Sequence, residues 1–150
     1  ALAGLSPEDE RAINEAAKAT NVTELMGRSV DTLSGGERQK VWIASALAQE
    51  TPALFLDEPT NALDPAHQAE LIRLMRSLRT TGKTLAVICH DLNLPLALGG
   101  RAVALRDHGV VFDGPTEALR EMGLLKRIYD TEFALHRDPG REAWSIQLAI

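Results

Sequence analysis

Residues 54–61 read Leu-Phe-Leu-Asp-Glu-Pro-Thr-Asn, an apolar run that ends abruptly in two carboxylates. Three apolar residues without alternation predict a strand over 53–57 covered on both faces, as in a parallel sheet. Asp57 and Glu58 then stand at the carboxyl edge of that sheet, where open α/β folds bind ligands. A second run, Leu85-Ala86-Val87-Ile88, predicts another covered strand over 84–89. Between them Leu71, Ile72, Leu74, Met75 and Leu78 recur at helical spacing, and Asp64-Pro65 is a standard helix start, so a helix is expected over 65–80. Strand, helix, strand in that order makes a parallel β-α unit and places the chain in the α/β class.

Upstream, residues 33–39 read Leu-Ser-Gly-Gly-Glu-Arg-Gln. Ser34 and Glu37 have the S-x-x-E spacing of a capping box, which opens a helix expected over 35–49. Capping explains the serine and the glutamate but not Gly35 and Gly36, which cost conformational entropy in a first turn. Glycines at the positive end of a helix let an anion approach the backbone N–H groups, and the Ser34 hydroxyl adds a donor. A phosphate site accounts for all four residues.

The remaining elements follow from local signals. Ser6-Pro7-Glu8-Asp9 starts a helix that runs to about Ala19, and residues 22–27 predict a further short helix. After the second strand, Asp91 is a candidate cap for a helix over 92–98. Two short strands near 102–106 and 109–113 are joined by Asp107-His108-Gly109, with Gly109 expected to take the positive φ of the turn. Thr116 is expected to cap a helix over 117–122, and the remainder to Ile150, including Asp138-Pro139-Gly140, to hold a turn and one strand. Gly82-Lys83-Thr84 imitates the end of a phosphate loop. However, Ser77 stands where that loop needs its first glycine, and the helix and strand come in reversed order, so Gly82 reads as a helix terminator. Arg73, Arg76 and Arg79 form the solvated side of the 65–80 helix.

Composition bounds the rest. The 150 residues are 45% hydrophobic and 25% charged, with a net charge of −5, which suits a folded domain and argues against a nucleic-acid partner. No run is long enough to cross a membrane as a helix, and no secretory signal pattern begins the chain. Cys89, the single cysteine, reads as a small buried filler. His67, His108 and His136 lack partners at metal-ligand spacing and are given no chemistry. The first residue is Ala1 rather than methionine, which suggests a piece of a longer chain.

Taken together, 33–39 resembles the signature motif of ATP-binding cassette (ABC) proteins, and 54–61 resembles their Walker B strand. Ala62-Leu63-Asp64 matches their D-loop, and His90, at the end of the following strand, matches their switch histidine. The resemblance implies an incomplete P-loop NTPase fold: part of the helical subdomain over 1–50, the Walker B, D-loop and switch core over 51–115, and an appendage over 116–150. It implies ATP and Mg²⁺ as ligands, with Asp57 holding the metal and Glu58 acting as the base toward water. His90 would contact the γ-phosphate. Ser34, Gly35, Gly36 and Glu37 would bind nucleotide held by a second ATPase subunit, and Asp64 would cross that dimer interface. The aromatic adenine loop, the Walker A lysine and the glutamine loop of complete cassettes are not found in these residues, so the 150-residue chain is expected not to hydrolyse ATP by itself.

Finer features, His90-Asp91-Leu92-Asn93-Leu94, Ala104-Leu105-Arg106-Asp107, Gly114-Pro115 and a tail with Leu125 and Tyr129, are similar to importer ATPases for ferric siderophores, haem or cobalamin. That branch implies a membrane permease as partner and a cytoplasmic place on the inner face of the cell membrane. Gly99-Gly100-Arg101 and His108 depart from the branch pattern and leave the substrate open. Family topology also leaves the outer edge of the 84–89 strand bare, which implies self-association or a partner that completes the sheet. Two rivals are a truncated interaction module offering only the signature face and a DNA-repair-type ATPase. The second is disfavoured because no heptad run precedes Leu33.

Overall fold

Ser6 opens the first helix as its sequence predicts: its hydroxyl accepts the N–H of Asp9, and the Asp9 carboxylate accepts the N–H of Ser6. The computed structural model describes residues 4–61, 63–138, 140 and 143–149, and its contacts divide into two units, Ala1–Ile88 and Cys89–Ile150.

In the first unit, α1 (Pro7–Ala19) packs on α2 (Gly35–Ala48). Small side chains, Ala12, Ala16 and Ala17, are buried on α1, while α2 buries Ile43 and Leu47. Between these helices two short 3-10 turns, Thr23–Leu25 and Val30–Thr32, stand where one short helix was expected over 22–27. Gly27, at φ 86°, takes a left-handed conformation that ends any continuing helix.

Strand β1 (Ala53–Asp57) pairs in parallel with β2 (Thr84–Ile88), in register from Ala53 opposite Thr84 to Asp57 opposite Ile88. The crossover is α3 (Pro65–Thr80), which buries Leu71, Met75 and Leu78. Gly82, at φ 85°, stops it: the Gly82 N–H donates to Arg79 O and the Lys83 N–H to Leu78 O, the paired bonds of a glycine C-cap. The reading of 82–84 as a terminator is therefore met in full. Lys83 Nζ donates to the carbonyl of Thr51 at 2.8 Å.

The expectation that both faces of these strands are covered is not met. Leu54 and Leu56 are buried on one side, but Phe55 is 80% exposed and Ile88 66% exposed on the other. Unbroken apolar runs show that a strand suits two covered faces. They do not say that this stretch of chain supplies both covers.

The second unit begins with α4 (Asn93–Leu98) and the antiparallel hairpin β3 (Arg101–Arg106) and β4 (Gly109–Pro115). Its two-residue turn puts Asp107 at φ 49° and His108 at φ 63°, so the left-handed positions fall one residue earlier than expected and Gly109 is not one of them. Asp tolerates this conformation, and the paired positive φ values match the twist of the strands it joins. Thr116 does not cap a helix. It starts a 3-10 turn, Thr116–Arg120, and its buried hydroxyl has no hydrogen-bond partner. The helix comes later, as α5 (Met122–Tyr129), and is followed by an antiparallel hairpin of two strands, β5 (Phe133–Asp138) and β6 (Ala143–Leu148), where one strand was expected. Leu119, Leu124, Leu125, Ile128 and Ile146 form the core of this unit. Pro139, within the expected 138–140 turn, lies outside the described residues.

Candidate functional site

Ser34 sits in extended conformation before α2, and its hydroxyl accepts the Glu37 N–H at 3.3 Å while the Glu37 carboxylate accepts the Ser34 N–H at 2.8 Å. These bonds to Ser34, backbone first, hold the Glu37 carboxyl below its usual range, so it is ionised at neutral pH. The capping box is thus real, and it consumes the Ser34 oxygen and the Glu37 N–H. The N–H groups of Gly35 and Gly36 belong to the first turn, which has no helical partner for them, and they can serve an anion.

Asp57 ends β1 and is exposed. Glu58 follows in a left-handed conformation, φ 47°, and its N–H donates to Ile88 O at 2.9 Å, one step beyond the β1–β2 ladder. Such a φ costs a non-glycine residue about 1–3 kcal/mol and is found where surrounding structure enforces it, often at functional sites. The N–H of Asn61 donates back to Glu58 O, closing a tight turn over the fully buried Pro59. Among the described residues no three His, Cys, Asp or Glu side chains converge on a metal position. That donor set still suits Mg²⁺, which commonly takes one or two carboxylates and completes its shell with water and phosphate oxygens. Asp57 offers one such carboxylate at the exposed end of β1.

Asp64 caps α3 in extended conformation, its Oδ1 accepting the His67 N–H at 3.0 Å. Its Oδ2 lies 2.6 Å from His67 Nδ1. The backbone bond from His67, then the ring, keep the Asp64 carboxyl below its normal range. Sequence reasoning gave His67 no role, yet its ring also rests against Gly36 at the start of α2. Gln68 was missed as well: its amide donates to Leu63 O at 3.1 Å and holds the loop between β1 and α3. An i+3 histidine after an Asp-Pro start was the available signal for the first. The second depends on a tertiary turn and had none. Ala62 lies outside the described residues.

The first unit therefore brings Gly36 of the signature string and Asp64 of the D-loop to one histidine, and sets Asp57 beside Glu58 at a strand end. His90 is exposed, two residues past β2, and belongs to the second unit. Cys89 is half-buried rather than buried; burial first, and Cys89 second, raise the Tyr129 hydroxyl above its usual pKa. Leu92, not Asp91, is the N-cap of α4; Asp91 stands one residue before it, with its Oδ1 accepting the Asn93 N–H at 2.8 Å. No described helix is long and apolar enough to cross a membrane.

Comparison with known proteins defines the class. A family model described as ABC transporter matches residues 4–61, and a solved ABC transporter described as of metal-chelate type, in an inward-facing conformation, superposes with a TM-score of 0.85 over 99% of this chain and 59% of that one, at 26% identity. The chain belongs to the ABC transporter ATPases, with the α/β P-loop NTPase fold of about half a cassette.

Within that family it is similar to ATP-binding proteins named for siderophore and haem transport. It is 44% identical over 133 residues to the ferric enterobactin transport ATP-binding protein FepC of Escherichia coli, covering 88% of this chain and 49% of the relative. It is 43% identical over 123 residues to the hemin import ATP-binding protein HmuV of Streptomyces coelicolor, covering 82% and 44%. The chain spans about half the length of the curated relatives it matches.

Proposed function

We propose that this chain forms the signature, Walker B and D-loop part of the ATPase subunit of an importer for an iron chelate or haem. The observation that carries this reading is the joint placement of an ionised cap and two glycines at the start of α2 with two carboxylates at the end of β1. The names of the relatives, ferric enterobactin transport and hemin import, supply the chelate class.

In this reading Ser34, Gly35, Gly36 and Glu37 present a phosphate site to nucleotide held by a second subunit, and Asp64 lies at the interface between the two. Asp57 holds Mg²⁺, which when bound neutralises phosphate charge. Glu58 takes the proton of the attacking water, and the strained turn at φ 47° fixes where its carboxylate can stand. His90 serves the γ-phosphate. A membrane permease is the remaining partner, which puts the working subunit at the cytoplasmic face of the membrane.

Because phosphoryl transfer depends on positioning the β- and γ-phosphates, and the 150 residues contain no G-x-x-x-x-G-K-[ST] string, the chain by itself turns over no ATP. A Mg-ATP hydrolysis assay on the purified chain checks this. Metal-dependent turnover that disappears in Glu58→Gln would refute it.

A further inference from the structure

The second unit sets two guanidiniums on one indole. Arg120, the last residue of the turn Thr116–Arg120, has its Cζ 5.5 Å from the Trp144 ring centroid, and Arg137 of β5 has its Cζ 5.6 Å from it. Both lie within the reach of a cation–π contact. Arg137 is the register partner of Trp144 in β6, and two residues further along the hairpin Leu135 is the partner of Ile146. Side chains alternate along a strand, so Trp144 shares its face with buried Ile146, and Arg137 shares its face with Leu135, which packs on the core of this unit. The pair thus extends the core-facing side of the hairpin toward the end where Asp138 pairs with Ala143. Trp144 and Arg120 are half-buried there, and Arg137 is exposed at the rim.

Neither guanidinium has a carboxylate partner among the described residues, although the chain holds more acids than bases and Arg101, Arg106 and Lys126 of the same unit are each paired with one. The Arg120 Nε is buried without a hydrogen-bond partner among the described residues, and so is the Thr116 hydroxyl of the same turn. A buried charged donor left unpaired is costly and calls for an acceptor. Stacking uses the face of a guanidinium and leaves its in-plane N–H groups free to find one. Two like charges also share this ring with no counter-charge, which a multivalent anion relieves. One carboxylate is filled by a single guanidinium fork, whereas a phosphate has oxygens enough for two. We propose that Arg120 and Arg137, set on Trp144, form a binding site for a phosphate group, carried by a soluble compound or by a lipid headgroup. The proposal does not depend on the reading of the signature string, whose residues lie in the first unit.

The chain has two tryptophans, and the other, Trp42, is 59% exposed on α2. Trp42→Phe therefore leaves Trp144 as the fluorescent reporter of its own surroundings. Pyrophosphate titrated into this chain at constant ionic strength is expected to change the Trp144 emission saturably, and Arg120→Gln or Arg137→Gln to weaken that binding by about tenfold or more. If Arg120→Gln does not fold, Arg137→Gln, at an exposed position, carries the test. Flotation with phosphatidylcholine vesicles, with and without phosphatidic acid, is the second arm. A pyrophosphate response lost with the arginines assigns the site to a soluble phosphate compound, and flotation that needs both phosphatidic acid and the arginines assigns it to a lipid headgroup. No binding in either arm, or binding that Arg137→Gln leaves unchanged, overturns the proposal.

Discussion

The sheet of β1 and β2 and the hairpin of β5 and β6 are both two strands wide, and they meet their surroundings differently. In the hairpin, Ile146 of β6 is buried in a cluster with Leu125, which is 0% exposed. The free side of β6 is occupied too: the Asn93 amide donates to Ile146 O at 3.2 Å and accepts the Ile146 N–H at 2.8 Å, standing in for a strand neighbour. The β1–β2 pair has one covered face, with Phe55 and Ile88 exposed on the other, and no third strand joins it among the described residues. The appendage is thus finished locally, whereas the sheet that carries Asp57 and Glu58 is shaped for further cover. The difference teaches that Asp57 and Glu58 stand on the less self-sufficient of the two pairs.

This contrast can be broken most sharply at the two apolar side chains. Leu125→Ala is expected to destabilise the chain by about 2–5 kcal/mol in denaturant unfolding, because it removes a fully buried side chain and leaves a cavity. Phe55→Ser, on the bare face, should change stability by less than about 0.5 kcal/mol and reduce self-association in sedimentation velocity. Equal losses from both substitutions would erase the distinction.

Of intermediate size is Asn93→Leu, which leaves the Ile146 N–H and C=O without their side-chain partner. A loss of about 1–3 kcal/mol is expected, with the Ile146 amide exchanging hydrogen faster while the β1 and β2 amides are unaffected. Smaller still is Ser34→Ala, which should cost about 0.5–2 kcal/mol through the lost N-cap bond. The Glu37 carboxyl is held low by Ser34, so its contribution is present above its unfolded pKa near 4.3 and is lost as pH falls through the lower folded value. Acid unfolding followed by circular dichroism should accordingly begin at a different pH in Glu37→Gln, and an unchanged acid limb would count against the capping box as a source of stability.

Much of the first unit was legible because its signals are local. Asp64-Pro65 and Gly82 bracket α3 at the residues found, since one supplies a cap and the other a left-handed stop. Ser34 and Glu37 pair as their spacing requires. What was not legible depends on contacts between segments distant in sequence. His67 comes beside Gly36 of α2 only through tertiary packing, which its sequence neighbours do not reveal. Bare Phe55 depends on which chain covers it, and the run Leu54-Phe55-Leu56 is the same in either case. In the tail, Thr116 looked like a cap by residue type, but tertiary packing buries it and delays the helix to Met122. The hairpin turn was read correctly in place and misread by one residue, since Asp107 and His108 adopt the conformation usually left to glycine.

The parallel pairing of β1 with β2 has a consequence in time. An antiparallel hairpin such as β3–β4 can close in about 1–10 μs, because its strands adjoin in sequence. Strands β1 and β2 are separated in sequence by the whole of α3, and non-local parallel pairing is intrinsically slow. The Glu58 N–H has no Ile88 carbonyl to bind until they pair. The turn at Glu58 therefore depends on this non-local pairing, and a nascent chain halted before Thr84 would hold both carboxylates without that bond.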